Sequence, residues 1–101
     1  MKFKVVYNPE FYNDIVDAVD WYNGEQPGLG ERLFKVIKLQ TAKLSGSALH
    51  YAIRYDDVRC LNIEKFPYLI HFRVDEAHGT VKVEAMFHTS RDPKLWDKLI
   101  D

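Results

Sequence analysis

The sequence predicts an α+β domain in the order β-α-α-β-β-β, with a helical hairpin packed on one face of a small antiparallel sheet and a short C-terminal helix. Three observations carry this expectation. The stretch from Val58 to His88 holds three runs of alternating apolar and polar residues separated by turn residues, as strands with one buried face do. Two earlier segments, Pro9 to about Tyr22 and about Leu29 to Leu44, carry apolar residues at helical spacing. The chain has 101 residues, 47% of them hydrophobic, which suits one domain, 1–101, with one core.

Lys2 to Tyr7 alternates, with Phe3, Val5 and Tyr7 on one side, and reads as the first strand. Asn8 is a good N-cap, and Pro9 has its φ preset for a first helical position. Phe11, Ile15, Ala18, Val19 and Tyr22 form the buried stripe of the helix that follows. Glu10, Asp14 and Asp17 fall mostly on its other side and read as a solvated acidic face. Asn23 to Gly28 is a turn by composition. In the second helix, Leu29, Leu33, Val36, Ile37, Gln40 and Leu44 share a face, which Phe34 and Leu39 widen.

Gly28-Leu29-Gly30 does not read as a phosphate loop, because no strand leads into it and no Lys-Ser/Thr pair follows. Its glycines let the chain enter a helix. Ser45-Gly46-Ser47 ends that helix, and His50 to Asp57 reads as an irregular segment or edge strand. After the last strand, Ser90 or Asp92 can cap and Pro93 can open a short helix that carries Leu95, Trp96 and Leu99 back onto the body.

In the sheet, Leu61, Ile63, Tyr68, Ile70, Phe72, Val74, Val81, Val83, Ala85 and Phe87 alternate and are expected to face the helices. Cys60, Asn62, Glu64, His71, Arg73, Lys82, Glu84, Met86 and His88 then face solvent. A four-residue turn at 76–79 would set Arg73 across from Lys82 and His71 across from Glu84. His71, Arg73, Glu84 and His88 would form one patch, in which imidazole and carboxylate can do acid–base work and a guanidinium can hold a phosphate. The same residues are also what any solvent-facing sheet carries. No zinc-ligand spacing links Cys60, His71 and His88, so neither a metal nor another cofactor is expected. Arg91, where the last strand gives way to the helix, suits a local salt bridge and a partner contact equally well.

Lys and Arg number 14 against 15 acids, a formal charge of −1. A chain without a basic excess is a poor unaided binder of nucleic acid, whose phosphates supply most of the affinity. One cysteine excludes an intrachain disulfide and fits a reducing compartment. The N-terminal apolar run is too short for a signal peptide or a membrane span, so a cytoplasmic protein is expected, with no membrane partner.

Four motifs in order resemble the RelE/ParE toxin superfamily, closest to its ParE-like, plasmid-stabilisation branch. They are Gly28-Leu29-Gly30-Glu31-Arg32-Leu33, Val58-Arg59, Phe66-Pro67-Tyr68-Leu69-Ile70 and His88-Thr89-Ser90-Arg91-Asp92-Pro93, and the likeness spans Lys2 to Trp96. The resemblance implies the same β-α-α-β-β-β fold. It also implies the growth-inhibiting toxin of a type II toxin–antitoxin pair, held inactive by a cognate antitoxin that wraps it. RelE-like members cut mRNA on the ribosome; ParE-like members poison DNA gyrase with no established catalytic step.

RelE-like nucleases carry basic residues along the strand that matches Arg59–Lys65, an arginine at the start of the next, and a C-terminal tyrosine. Here Cys60, Asn62 and Glu64 occupy the strand, Leu69 stands in the arginine's place, and Trp96 is near the tyrosine's. The resemblance therefore favours a non-catalytic toxin that binds a protein target such as gyrase. Its contact residues for target or antitoxin would be Arg59, His71, Arg73, His88, Arg91 and Trp96. The alternatives are a ribosome-dependent mRNA endoribonuclease using His88, Arg73 and Glu84, and an inactive member that serves as a binding module.

Overall fold

Asn8 Oδ1 accepts a hydrogen bond from the N–H of Glu10 at 3.1 Å, and Pro9 takes the first helical position. This cap turns the chain out of β1 (Lys4–Tyr7) into α1 (Pro9–Glu25). The computed structural model describes residues 2–89. After α1 come α2 (Leu29–Ala42), a one-turn α3 (Leu44–Ser47) and a 3₁₀ turn (Ala48–His50). Four strands complete the described chain: β2 (Ile53–Tyr55), β3 (Val58–Asn62), β4 (Tyr68–Asp75) and β5 (Thr80–His88). The expected C-terminal helix, with Arg91 and Trp96, lies outside the described residues.

The strands form one sheet in the order β1-β5-β4-β3-β2. It is antiparallel except for β1, which lies parallel to β5 with Val5 opposite Val81 and Tyr7 opposite Val83. The helical hairpin carries the chain from β1 to the opposite edge of the sheet at β2, and the strands then return it to β5 beside β1. The segment before Val58 resolves as a three-residue edge strand, β2, with Ile53 exposed.

Gly30 lets the two helices meet. A Cβ there would collide with the Val19 carbonyl oxygen and the Asn23 side chain, whose Oδ1 instead accepts the Gly30 N–H at 2.8 Å. Gly28, with φ 87°, supplies the left-handed turn into α2. Both glycines act in the chain's own packing.

Phe11, Ile15 and Ala18 of α1 and Leu33 and Ile37 of α2 bury against Leu61, Ile63, Ile70, Phe72, Val81 and Val83 of the sheet. Each of the larger of these side chains, Val, Leu, Ile or Phe, contributes about 1.5–3 kcal/mol. Two residues expected to widen the α2 stripe do not: Phe34 and Leu39 are exposed, because the sheet contacts only the arc centred on Leu33 and Ile37. Gln40 at the edge of that arc is tied to the sheet. Its Nε2 donates to the Asn62 carbonyl at 3.0 Å, and its Oε1 accepts the Glu64 N–H at 2.8 Å.

The β4–β5 register slips once. Phe72 faces Val83 while His71 faces Ala85, so Glu84 is an extra residue on β5. Beyond this bulge every side chain changes face relative to the simple alternation. Met86 joins the core, and Ala85 and Phe87 turn to the opposite face, the reverse of the expected assignment. His88 shares the helix side with Tyr68, its partner across the strands. The expected pairing of Arg73 with Lys82 stands, whereas His71 pairs with Ala85 and not with Glu84.

The face turned away from the helices is not the solvated surface that its polar residues suggested. Val58, Cys60, Leu69, His71, Glu84, Ala85 and Phe87 on it are all buried.

Candidate functional site

The residues expected to form one patch fall into three separate groups. In the first, Arg73 of β4 lies 3.2 Å from Asp57 and, through Nε, 3.8 Å from Glu84, while Lys82 lies 3.7 Å from Glu84. Glu84 is a buried carboxylate between two cations. An open groove of about 440 Å³ beside it is lined by Asp57, Arg73, Asp75, Glu76, Thr80 and Lys82. Acids outnumber bases there, which disfavours a phosphate ligand. Asp75 itself is held below the usual carboxylate range by its hydrogen bond from the exposed His78 side chain.

His71 anchors the second group. It is fully buried, its Nδ1 lies 2.9 Å from the Tyr55 hydroxyl and 3.7 Å from Cys60 Sγ, and its ring packs edge-on against Phe87. Burial, helped by the charge of Arg54, lowers its pKa to about 4, so the imidazole is neutral at physiological pH. Burial also raises the Cys60 thiol to about 11, against a smaller opposing pull from Arg54. The neutral ring packs against Tyr55, with centroids 5.7 Å apart.

His88 belongs to the third group, at the far end of β5. It lies four residues beyond Glu84, roughly 13 Å along the strand, and faces the helices. His88, Arg73 and Glu84 therefore do not converge on one reacting atom.

Around His88 a ladder of rings crosses from helix to sheet. Trp21 packs edge-on against Tyr22 at 4.9 Å, Tyr22 on Phe66 at 5.3 Å and on Tyr68 at 6.2 Å, and Tyr68 on His88 at 5.6 Å. Burial and the neighbouring Tyr22 raise the Tyr68 pKa. A groove of about 270 Å³ runs beside the ladder, with Asp14, Asp17 and Trp21 on its helical wall and Met86, Phe87 and His88 on the sheet wall. Trp21 is 59% exposed, enough to be touched by a partner. Sequence reasoning passed over Trp21 and treated Asp14 and Asp17 as a solvated face. The available signal was the adjacent Trp21-Tyr22 pair, one ring of which must leave the core stripe.

A second, more apolar groove of about 250 Å³ lies between the helices beside β1, lined by Tyr7, Phe11, Tyr12, Phe34, Ile37 and Thr41 among others. Phe34 and Tyr12 on its rim are exposed. Arg59 donates through Nη1 to the Tyr51 carbonyl and tethers the turn before β2. Arg91 and Trp96 lie outside the described residues. Among the described residues, no group of three or more His, Cys, Asp or Glu side chains is arranged for a metal, and no helix is long and apolar enough to cross a membrane.

No protein-family model matches this chain, and no curated protein does. Solved structures do. A chain of the chromosomal ParDE toxin–antitoxin system from P. aeruginosa superposes with a TM-score of 0.77 at 19% identity, over 88% of this chain and 98% of that one. E. coli toxin RelE, as a double arginine-to-alanine mutant in the free state, gives 0.70 at 10% identity over 99% and 96%. The same mutant in complex with an antitoxin RelBc peptide gives 0.55 at 13% identity over 100% and 97%. At these identities the likeness establishes the fold: this chain has the architecture shared by the ParDE and RelE structures, as its motifs led one to expect.

Proposed function

We propose that this chain is the toxin of a type II toxin–antitoxin pair, acting in the cytoplasm by binding a protein target such as DNA gyrase and neutralised by a cognate antitoxin. One observation carries the reading: 88% of the chain matches a component of a ParDE system over 98% of that component's length. The separation of His88 from Arg73 and Glu84, together with the near-neutral charge, supports target binding over RNA cleavage. Exposed aromatic side chains beside two grooves supply anchors of the kind that protein interfaces use. Carried on a plasmid, such a pair would stabilise it through growth arrest of cells that lose it.

The test is induction of the protein alone in a bacterial host, with colony counts and RNA integrity read from one culture. Loss of viability with intact mRNA, followed by inhibition of gyrase supercoiling by the purified protein, is the expected result. Unimpaired growth in the natural host would overturn the toxin assignment and leave an inactive member that serves as a binding module. A second reading, a ribosome-dependent mRNA endoribonuclease, is favoured by the likeness to toxin RelE. It predicts cut transcripts in arrested cells and their disappearance in His88→Ala.

A further inference from the structure

We propose that the outer face of the helical hairpin is a self-association surface, on which α1 of one copy lies along α2 of a second copy of this chain, about a two-fold axis parallel to the helices. The inference goes beyond the toxin reading and does not depend on it.

The surface is apolar along its middle. The groove of about 250 Å³ between α1 and α2 is walled by Phe11, Ile15 and Ile37, and the hydrogen bond between the Tyr7 hydroxyl and Thr41 Oγ1 lies at one end. Tyr12 and Phe34 stand exposed on its two rims. Val16, one turn from Tyr12 on the same side of α1, is exposed as well. Scattered apolar side chains need no partner, but these three share one face of one hairpin.

Charge selects the occupant. The exposed acids of α1 are Glu10, Asp17, Asp20 and Glu25, and α1 has no Lys or Arg. α2 carries Arg32, Lys35 and Lys38 against the single acid Glu31, which accepts a hydrogen bond from Asn23 of α1 at 3.4 Å. One hairpin thus presents opposite charge on its two helices, while the whole chain is near neutral, with a formal charge of −1. A two-fold axis along the helices sets each acidic α1 on the basic α2 of the other copy, and the contact occurs twice. An axis across the helices would set acid on acid. A second copy therefore brings the complementary pattern in its own sequence.

The hairpin fixes the register. Gly30 of α2 abuts Val19 and Asn23 of α1, so in this antiparallel pair Asp17 is level with Phe34 and Lys35. An axis along the helices preserves levels. Asp17 of each copy then meets Lys35 of the other, and Tyr12 and Val16 cover Phe34. Lys38, whose ammonium lies 5.8 Å from the centre of the Phe34 ring, borders the contact.

The experiment is sedimentation equilibrium of the full chain from micromolar to millimolar concentration, paired with amide NMR of a dilution series. A monomer–dimer equilibrium is expected, with dilution shifting the signals of Tyr12, Val16, Phe34 and Lys35. Phe34→Ala, Lys35→Glu and Asp17→Lys are each expected to weaken dimerisation about tenfold. The double variant Asp17→Lys/Lys35→Glu should recover most of that loss, because the two charges exchange places. All three side chains are exposed, and circular dichroism verifies each fold. A chain that is monomeric at every concentration would overturn the proposal and leave the groove to another protein. So would dilution shifts at the sheet edges, around Val5 or Ile53, in place of the hairpin. Undiminished dimerisation in folded Phe34→Ala, or a double variant no tighter than either single one, would overturn it equally. The parent's dilution shifts decide the matter even where a variant fails to fold. Dimerisation requires no toxicity, so failure of either proposal leaves the other distinguishable.

Discussion

Asp14 of α1 accepts a hydrogen bond from the backbone N–H of Met86 on β5, 3.1 Å away and 72 residues along the chain. It stands where a longer β1 would otherwise have supplied a carbonyl. Asp14→Ala leaves that part-buried N–H without this acceptor and is expected to cost about 1–3 kcal/mol. Asp14→Asn keeps a carbonyl oxygen and is expected to recover most of the loss. Urea unfolding midpoints of the two variants against the parent check this.

His71 makes stability depend on pH. Its pKa is 6.5 in the unfolded chain and about 4 in the fold. Below pH 6.5 the unfolded chain binds a proton that the folded chain refuses, so the His71 contribution is full above 6.5 and is lost as pH falls toward 4. The difference amounts to about 3 kcal/mol at the low end. His71→Leu is expected to flatten this part of the curve. Comparing unfolding free energies of parent and variant between pH 7 and 4 isolates the slope.

Cys60 is expected to be inert in the folded protein. Its thiol is buried and its pKa is raised to about 11, so thiolate, the reactive form, is scarce. Iodoacetamide at pH 8 should label it only as fast as the chain opens. Rapid labelling of native protein, followed by mass spectrometry, would contradict the burial.

Gln40 closes α2 onto the end of β3 with two hydrogen bonds, just before Lys65 adopts φ 70° in the β3–β4 loop. Gln40→Ala is expected to cost about 1–2 kcal/mol. Amide exchange at Glu64 should accelerate beyond what the global loss explains.

Gly30→Ala should be the most damaging small substitution in the hairpin. The added methyl meets the Val19 carbonyl and the Asn23 side chain, so the helices must separate or the Asn23 bond must break. A loss of about 1–3 kcal/mol is expected, read as a lowered thermal midpoint.

The hairpin and the strands were legible in the sequence because each rests on local chemistry. Asn8-Pro9 starts α1, the Gly28 turn starts α2, and alternation across Tyr68–Val74 and Val81–Val83 exposes one face pattern at a time. The β1–β5 pairing was not legible, since parallel neighbours separated by the helical hairpin and three strands share no turn that reveals them.

The bulge lay equally out of reach. Ala85-Met86-Phe87 is apolar at three consecutive positions, so alternation could not report which of them faces the helices. One extra residue at Glu84 settled it, placing Met86 in the core and His88 with Trp21 and Tyr68 instead of with Arg73. The sequence by itself determined which segments are helix and strand, because period and capping act over a few residues. Which polar side chains meet was decided only by tertiary structure, because a single unpaired residue in one strand exchanges the faces of all that follow.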